Sequence, residues 1–201
     1  MYKLYDFLPS GNGYKVRLLL TLLDIPFERI ELNILEKETR TPEFLAKNLN
    51  GKIPLLEIAP DKFLAESNAI LYYLAQDTIY FPSDKYIQAQ IMQWLFFEQF
   101  SHEPYLATSR YWISILQQPE KYAEQLKHKH RLGNVALGII EKHLDERNFL
   151  VGNTCTIADI SLYAYTHVAE EGGFDLAQYP AIRAWIERIK TNPKHISIDR
   201  C

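Results

Sequence analysis

The pattern of this chain changes once, near Tyr80-Phe81-Pro82-Ser83-Asp84. Before that segment, short strand and helix patterns alternate; after it, only helical patterns remain. Alternation followed by helices alone specifies a small α/β unit joined to an α-helical one. Lys3 to Phe7 reads as a strand. Gly13 to Leu23 carries Val16, Leu19, Leu20 and Leu23 at helical spacing and stops at Asp24-Ile25-Pro26, because proline is disfavoured inside a helix. Phe27 to Leu32 alternates apolar and charged residues, the signature of a second strand. Thr41-Pro42-Glu43 opens a short helix with Thr41 as cap and Pro42 at its first position. Leu55 to Ile58 and Lys62 to Leu64 form a hairpin across Ala59-Pro60-Asp61, and Glu66 to Gln76 is the next helix. The order βαβαββα defines a first domain over residues 1–79, and an all-helical domain follows over 85–201.

In the second half, Ile87 to Phe100 is apolar and aromatic at helical spacing, with a bend expected near His102-Glu103-Pro104 where proline removes a backbone bond. Pro119 to Leu144 reads as one long helix. Thr156-Ile157-Ala158-Asp159 reads as a capping box, with Asp159 at the third helical position and a structural role expected for both Thr156 and Asp159. A last helix opens at Tyr179-Pro180 and ends before Asn192-Pro193.

Bulk properties exclude several classes. Hydrophobic residues make up 47% of 201 and charged residues 23%, enough to bury a sizeable core. A net charge of -3 gives no electrostatic reason to expect nucleic acid or an acidic membrane as partner. No apolar run approaches the ~18 residues that span a bilayer. The first residues read as a strand without a signal peptide's apolar core, so a cytoplasmic location is expected. The 2 cysteines, Cys155 and Cys201, have neither metal-ligand nor CxxC spacing. Cys155 is expected to pack as a small apolar group, and terminal Cys201 to be exposed without a catalytic role. His128 and His130 stand two apart, on different helix faces, and read as part of a solvated basic face; no metal is expected.

Two segments suggest a site. In Gly51-Lys52-Ile53-Pro54-Leu55-Leu56-Glu57, a proline stands where a buried strand begins, and a cis Ile53-Pro54 bond would leave the backbone of Ile53 to pair with a peptide-like ligand. In Glu66-Ser67-Asn68-Ala69-Ile70, Ser67 opens an apolar helix, whose N-terminal amides and dipole favour a carboxylate. Together they read as a site for a small peptide held by its backbone and its acid group.

The chain resembles a cytosolic glutathione transferase of bacterial type. The likeness rests on Tyr5-Asp6-Phe7 with Ser10-Gly11-Asn12-Gly13, on Asn50-Gly51-Lys52-Ile53-Pro54, on Glu66-Ser67, and on Gly152-Asn153 with Thr156-Ile157-Ala158-Asp159. It implies a thioredoxin-like N-terminal domain, an α-helical domain behind it, glutathione as co-substrate, and a homodimer with each active site close to the subunit boundary. The implied reaction is conjugation of the glutathione thiolate to a small electrophile. Theta- and delta-like members hold the thiolate with an N-terminal Ser, whereas nu-like members have Thr and, two residues later, Asn. Pro9-Ser10-Gly11-Asn12-Gly13 resembles both, which leaves Ser10 and Asn12 as competing sulfur contacts, with Ser10 favoured. A glutathione thiol is mostly protonated at neutral pH, so either residue would act by donating a hydrogen bond to the thiolate beside a helix N-terminus. Tyr5 is a weaker candidate and reads as core.

By the same resemblance, Lys52 pairs the glycine carboxylate, Ile53 makes two backbone bonds after which Pro54 turns the chain, Glu66 faces the γ-glutamyl amine, and Ser67 takes its carboxylate. Thr39 or Arg40 falls where relatives use His or Gln. The second substrate is expected against the helical domain, where His102, Tyr105, Arg110, Tyr111 and Trp112 cluster near the bend: aromatics beside a cation suit an apolar electrophile with a polar head. Two other activities fit the same motifs: a nu-like glutathione-dependent disulfide reductase or peroxidase, and a binding protein that kept the fold without the chemistry.

Overall fold

Strands β1 (Tyr2–Asp6), β2 (Phe27–Glu31), β3 (Leu55–Ala59) and β4 (Lys62–Ala65) form a single sheet in the order β2-β1-β3-β4 in the computed structural model, which describes residues 1–200. Cys201 and the expectations attached to it lie outside the described residues. β1 runs parallel to β2 in a register from Tyr2 opposite Phe27 to Asp6 opposite Glu31; β3 is antiparallel to both β1 and β4. The parallel pair needs a crossover, and α1 (Gly11–Leu22) supplies it. α2 (Pro42–Lys47) follows β2, and α3 (Ser67–Leu74) follows the hairpin. The expected order is reproduced. The short helix has the predicted cap: Thr41 Oγ1 accepts the Phe44 amide at 3.2 Å, with Pro42 in the first turn. α1 begins two residues earlier than the apolar spacing suggests, because Ser10 already caps it. Leu4 of β1, Leu55 and Leu56 of β3, Val16, Leu19 and Leu20 of α1, and Ile70 and Leu71 of α3 are completely buried. Each such side chain contributes about 1.5–3 kcal/mol.

The chain forms two compact units. One comprises Met1–Gln76 and the segment from Lys194 onward; the other is Asp77–Pro193. This differs at two places from a division at 79/85 with everything after it helical. Residues 77–84 pack with the helices, where the Tyr80 carbonyl accepts the Ile157 amide at 3.0 Å. The terminal segment packs with the sheet unit, because the buried Arg17 and Tyr14 of α1 bind its backbone carbonyls.

The helical unit consists of α4 (Lys85–Phe97), α5 (Glu103–Arg110), α6 (Ala123–Leu144), α7 (Ile157–Thr166) and α8 (Pro180–Lys190). Asp84 caps α4 by accepting the amides of Tyr86 and Ile87, both at 2.9 Å. The bend expected near Pro104 is a π-helical turn over Glu98–His102, closed by the Glu103 amide on the Glu98 carbonyl, so the wider turn meets the proline. A second π-helical turn, Tyr111–Ile115, has no counterpart in the sequence reading. The long helix predicted from Pro119 starts as a short 3-10 turn and becomes α-helical at Ala123. All ten residues of α7 are buried, and Asp159 within it is fully enclosed. Its Oδ2 accepts the Thr156 amide at 2.9 Å, completing the capping box, while Oδ1 accepts Leu150 N and Trp185 Nε1, each at 2.9 Å. Burial pushes this carboxyl up, and the four hydrogen bonds it receives hold it back. No helix among the described residues is long and apolar enough to cross a membrane.

Candidate functional site

The site is built where β1 hands the chain to α1. Asp6 ends β1, and its carboxylate lies so close to Gly13 that a Cβ there would stand 1.6 Å from Oδ1; glycine is what lets the first turn of α1 seat on the strand. Between them the chain reverses through Ser10, whose amide donates to Phe7 O at 2.7 Å and whose carbonyl accepts the Tyr14 amide at 2.9 Å. Ser10 Oγ accepts the Gly13 amide at 3.2 Å. That cap uses a lone pair of the hydroxyl and leaves its proton as a donor at the positive end of α1.

A second helix N-terminus lies beside the first. Glu66, immediately before α3, is exposed and holds φ 69°, a left-handed shape that costs a non-glycine residue about 1–3 kcal/mol. Ser67 follows it and is buried. Ser67 Oγ donates to Asn12 Oδ1 at 3.2 Å, and Lys15 Nζ, on a residue with no exposed surface, reaches Ser67 Oγ at 3.4 Å. Asn12, Lys15 and Ser67 therefore form one polar cluster that ties the starts of α1 and α3, and it combines a cation, a hydroxyl and two dipole ends, a setting for an anion.

The loop before β3 is held by its own bonds. Arg40 Nη1 donates to the Asn50 carbonyl at 2.9 Å, the Gly51 amide to the Asn48 carbonyl at 2.8 Å, and Asn48 Nδ2 to the Lys52 carbonyl at 2.8 Å. Gly51 adopts φ 60°, with the Thr39 carbonyl 2.8 Å from where a Cβ would be. Ile53-Pro54 is cis. Both ladders of β3 begin at Leu55, so Ile53 precedes the paired register, half-buried, while Lys52 is exposed. Thr39 is buried and Arg40 braces this loop, which gives both a structural place. Tyr5 belongs to the sheet: its hydroxyl donates to Glu57 Oε2 at 2.9 Å, and burial, with Glu57 adding to it, raises the phenol to about 12.

In the helical unit the cluster expected to take a second substrate divides. Tyr105 and Trp112 share one cation, with Lys129 Nζ 5.4 Å and 5.9 Å from their ring centres, and Trp112 stacks on Tyr122 at 4.4 Å. Arg110 is buried and donates through Nε to Glu171 Oε2 at 2.7 Å, so its charge is engaged inside the unit. His102 is fully buried, with Nε2 2.9 Å from Thr166 Oγ1. Tyr111 is half-buried at the start of the second π-helical turn. His130 lies 2.8 Å from the Gly172 carbonyl through Nε2 and packs edge-on to Phe174. Cys155 is half-buried, and burial raises its thiol well above the ordinary range.

The model for the N-terminal domain of glutathione S-transferase matches residues 1–76, and the C-terminal domain model matches residues 87–193. The chain belongs to the glutathione S-transferase family. A crystal structure of glutathione S-transferase from Pseudomonas fluorescens is 48% identical with a TM-score of 0.96, covering 98% of each chain. The disulfide-bond oxidoreductase YfcG of Escherichia coli is 30% identical, covering 96% of this chain and 92% of that protein. A structure of Ure2p in complex with glutathione is 25% identical with a TM-score of 0.85, covering 96% of this chain and 90% of that one.

Within this glutathione S-transferase fold, two buried charges of α1 escaped the sequence reading. Lys15 and Arg17 alternate with the apolar Val16 and Leu18, which reads as the edge of an amphipathic helix, yet both are fully buried. The only hint was their density: two cations three and five residues from Asn12, on a helix otherwise rich in leucine.

Proposed function

We propose that this family member binds glutathione in the sheet unit and transfers its thiolate to small electrophiles. The observation that carries the reading is the Asn12–Ser67–Lys15 cluster joining the starts of two helices. A tripeptide thiol has an acid end and a sulfur, and these need two anion-favouring points. The start of α3 suits the γ-glutamyl carboxylate, through Ser67, its amide and the buried Lys15, with Glu66 facing the amine. The start of α1 suits the sulfur. There Ser10 donates its hydroxyl proton to the thiolate, Asn12 assists from the same turn, and the α1 amides supply the dipole, which together lower the thiol pKa. Ile53 offers its backbone ahead of the strand ladder as Pro54 turns the chain, and Lys52 suits the glycine carboxylate. Attack on an electrophilic carbon then forms the C–S bond as the halide leaves an aryl halide, or as the C=N π bond of an isothiocyanate opens and its nitrogen takes a proton, a step that needs positioning more than acid-base machinery. Tyr105, Tyr111 and Trp112 are the candidates for aromatic contacts to the electrophile.

The likeness to YfcG supports a second reading, reduction of disulfides. The chain has no cysteine before Cys155, so two glutathione thiols would supply the two electrons, becoming one disulfide as the substrate disulfide becomes two thiols. One experiment separates the readings: titration calorimetry with glutathione, then parallel assays with an aryl halide, an isothiocyanate and a disulfide. Conjugation supports the first reading and disulfide turnover alone the second. Binding without turnover on any of them makes the protein a glutathione-binding relative without chemistry.

A homodimer belongs to this proposal. Phe96 and Phe100 stand four apart and are 66% and 82% exposed, and Val135 and Ile139 stand four apart on α6 at 55% and 47%; exposed apolar pairs of this kind suit a second copy. A cytoplasmic setting suits a co-substrate that must stay reduced.

A further inference from the structure

Arg17 is completely buried and is the hub of the sheet unit. Its Nε pairs with Asp6 Oδ2 at 2.8 Å, its Nη2 donates to the Leu8 carbonyl at 2.6 Å, and its Nη1 donates to the Ile198 carbonyl at 3.0 Å and to that of Arg200. One rigid guanidinium thus joins the end of β1, the loop that carries Ser10, and the terminal segment. One turn earlier on α1, the Tyr14 hydroxyl donates to the Ile196 carbonyl at 2.7 Å and lies 3.2 Å from His195 Nε2. Lys194 pairs with Asp24 just beyond the far end of α1. The terminal segment therefore runs along α1 from beyond its end back to the Arg17 level, held at Lys194, Ile196, Ile198 and Arg200. The loop contact is two residues from Ser10. Leu8 has one more anchor, its amide on Glu31 Oε1 at 3.2 Å, which is exposed and correspondingly weaker.

We infer that the segment 194–200 is a strap which, through Arg17 and Tyr14, positions the Leu8–Ser10 loop and so sets how well Ser10 holds the thiolate. Arg17 and Tyr14 are positioning residues; neither touches the sulfur. The inference rests on the Ser10 reading above. A carbonyl-bound guanidinium can lock a loop where a lysine cannot, since only the fork reaches carboxylate, loop and strap together.

The test uses the full chain with Arg17→Lys, which keeps the charge and loses the fork, and Tyr14→Phe, which keeps the buried ring and loses the hydroxyl's contacts to His195 and Ile196. Thermal unfolding identifies variants that fold. The readouts are the apparent pKa of enzyme-bound glutathione, followed by thiolate absorbance against pH, and the split between kcat and glutathione affinity. The expected result is a bound-thiol pKa raised by about one unit or more and a kcat lowered ~10- to 100-fold, with glutathione affinity within about twofold of wild type. Tyr14→Phe alone showing this pattern supports the strap even where Arg17→Lys fails to fold. A bound-thiol pKa unchanged in folded Tyr14→Phe overturns it, whatever happens to stability. Wild-type protein that binds glutathione without lowering its pKa instead removes the Ser10 reading and this inference with it.

Discussion

Ser67 Oγ donates to Asn12 Oδ1 across 3.2 Å, and this contact couples the first turns of two helices that are 55 residues apart in sequence. Asn12 thereby has its side-chain oxygen engaged at the start of α3, while Ser10 keeps a hydroxyl proton at the tip of α1. On the proposed reading this makes Ser10 the main sulfur contact and leaves Asn12 only its amide group to assist.

Replacing Ser10 should therefore cut turnover more than glutathione affinity. Ser10→Ala also removes the α1 cap, at a cost of about 1 kcal/mol, whereas Ser10→Gly keeps most of the capping preference and loses the hydroxyl. Both variants should lose kcat with an aryl halide by ~10-fold or more, the yield of one positioned hydrogen bond. Steady-state kinetics beside calorimetry decides it; full turnover in Ser10→Gly would transfer the sulfur contact to Asn12.

Binding at the start of α3 should respond in the opposite sense. Glu66→Ala and Ser67→Ala should each weaken glutathione by about 1–3 kcal/mol, the range for charge-assisted bonds, with kcat at saturation changed less. A double-mutant cycle between Asn12→Ala and Ser67→Ala should give a coupling of at least about 0.5 kcal/mol, as for groups in one network. Strict additivity would mean that the 3.2 Å contact carries no binding information.

Much of the fold around this candidate site was legible because its parts are local. Thr41-Pro42, the hairpin over Ala59-Pro60-Asp61, the Thr156 box and the Glu66-Ser67 helix start are each decided by a few adjacent residues. What stayed hidden is long-range or subtle. Two of the acceptors of Arg17 are main-chain carbonyls more than 180 residues away, and a carbonyl has no residue type to read. The π-helical turns differ from α-helix by one residue over five, too short a run for a change of period to show. The burial of Lys15 does not show in the sequence because lysine is almost never fully buried without a partner, and the Ser67 hydroxyl it reaches lies in another element.

The Asp6–Arg17 pair makes stability depend on pH. Burial pushes the Asp6 carboxyl up to about 6 from an ordinary 3.8, against the pull of Arg17 and of the Phe7 amide. The folded protein then binds a proton more readily than the unfolded chain, so Asp6 favours the folded state below pH ~4, and that contribution is lost as pH rises through about 6. Two units correspond to about 3 kcal/mol at most. The difference in unfolding free energy between wild type and Asp6→Asn should accordingly shift in favour of the variant from pH 4 to 7, followed by denaturant titration at each pH. Parallel curves would mean that Asp6 titrates normally in the fold.

In the helical unit, Asp159 should prove more than a cap. Thr156→Ala removes one capping acceptor and should cost about 1 kcal/mol. Asp159→Asn puts an amide donor where the carboxylate now receives Leu150 N, Thr156 N, Thr156 Oγ1 and Trp185 Nε1. At least one buried donor is then left facing a donor, which costs about 1–3 kcal/mol for each orphaned group. The expected order is Asp159→Asn more destabilising than Thr156→Ala, with Trp185 fluorescence altered in the folded Asp159 variant and unaltered in the Thr156 variant. Equal losses with unchanged Trp185 emission would confine Asp159 to the capping box and leave the link to α8 without energetic weight.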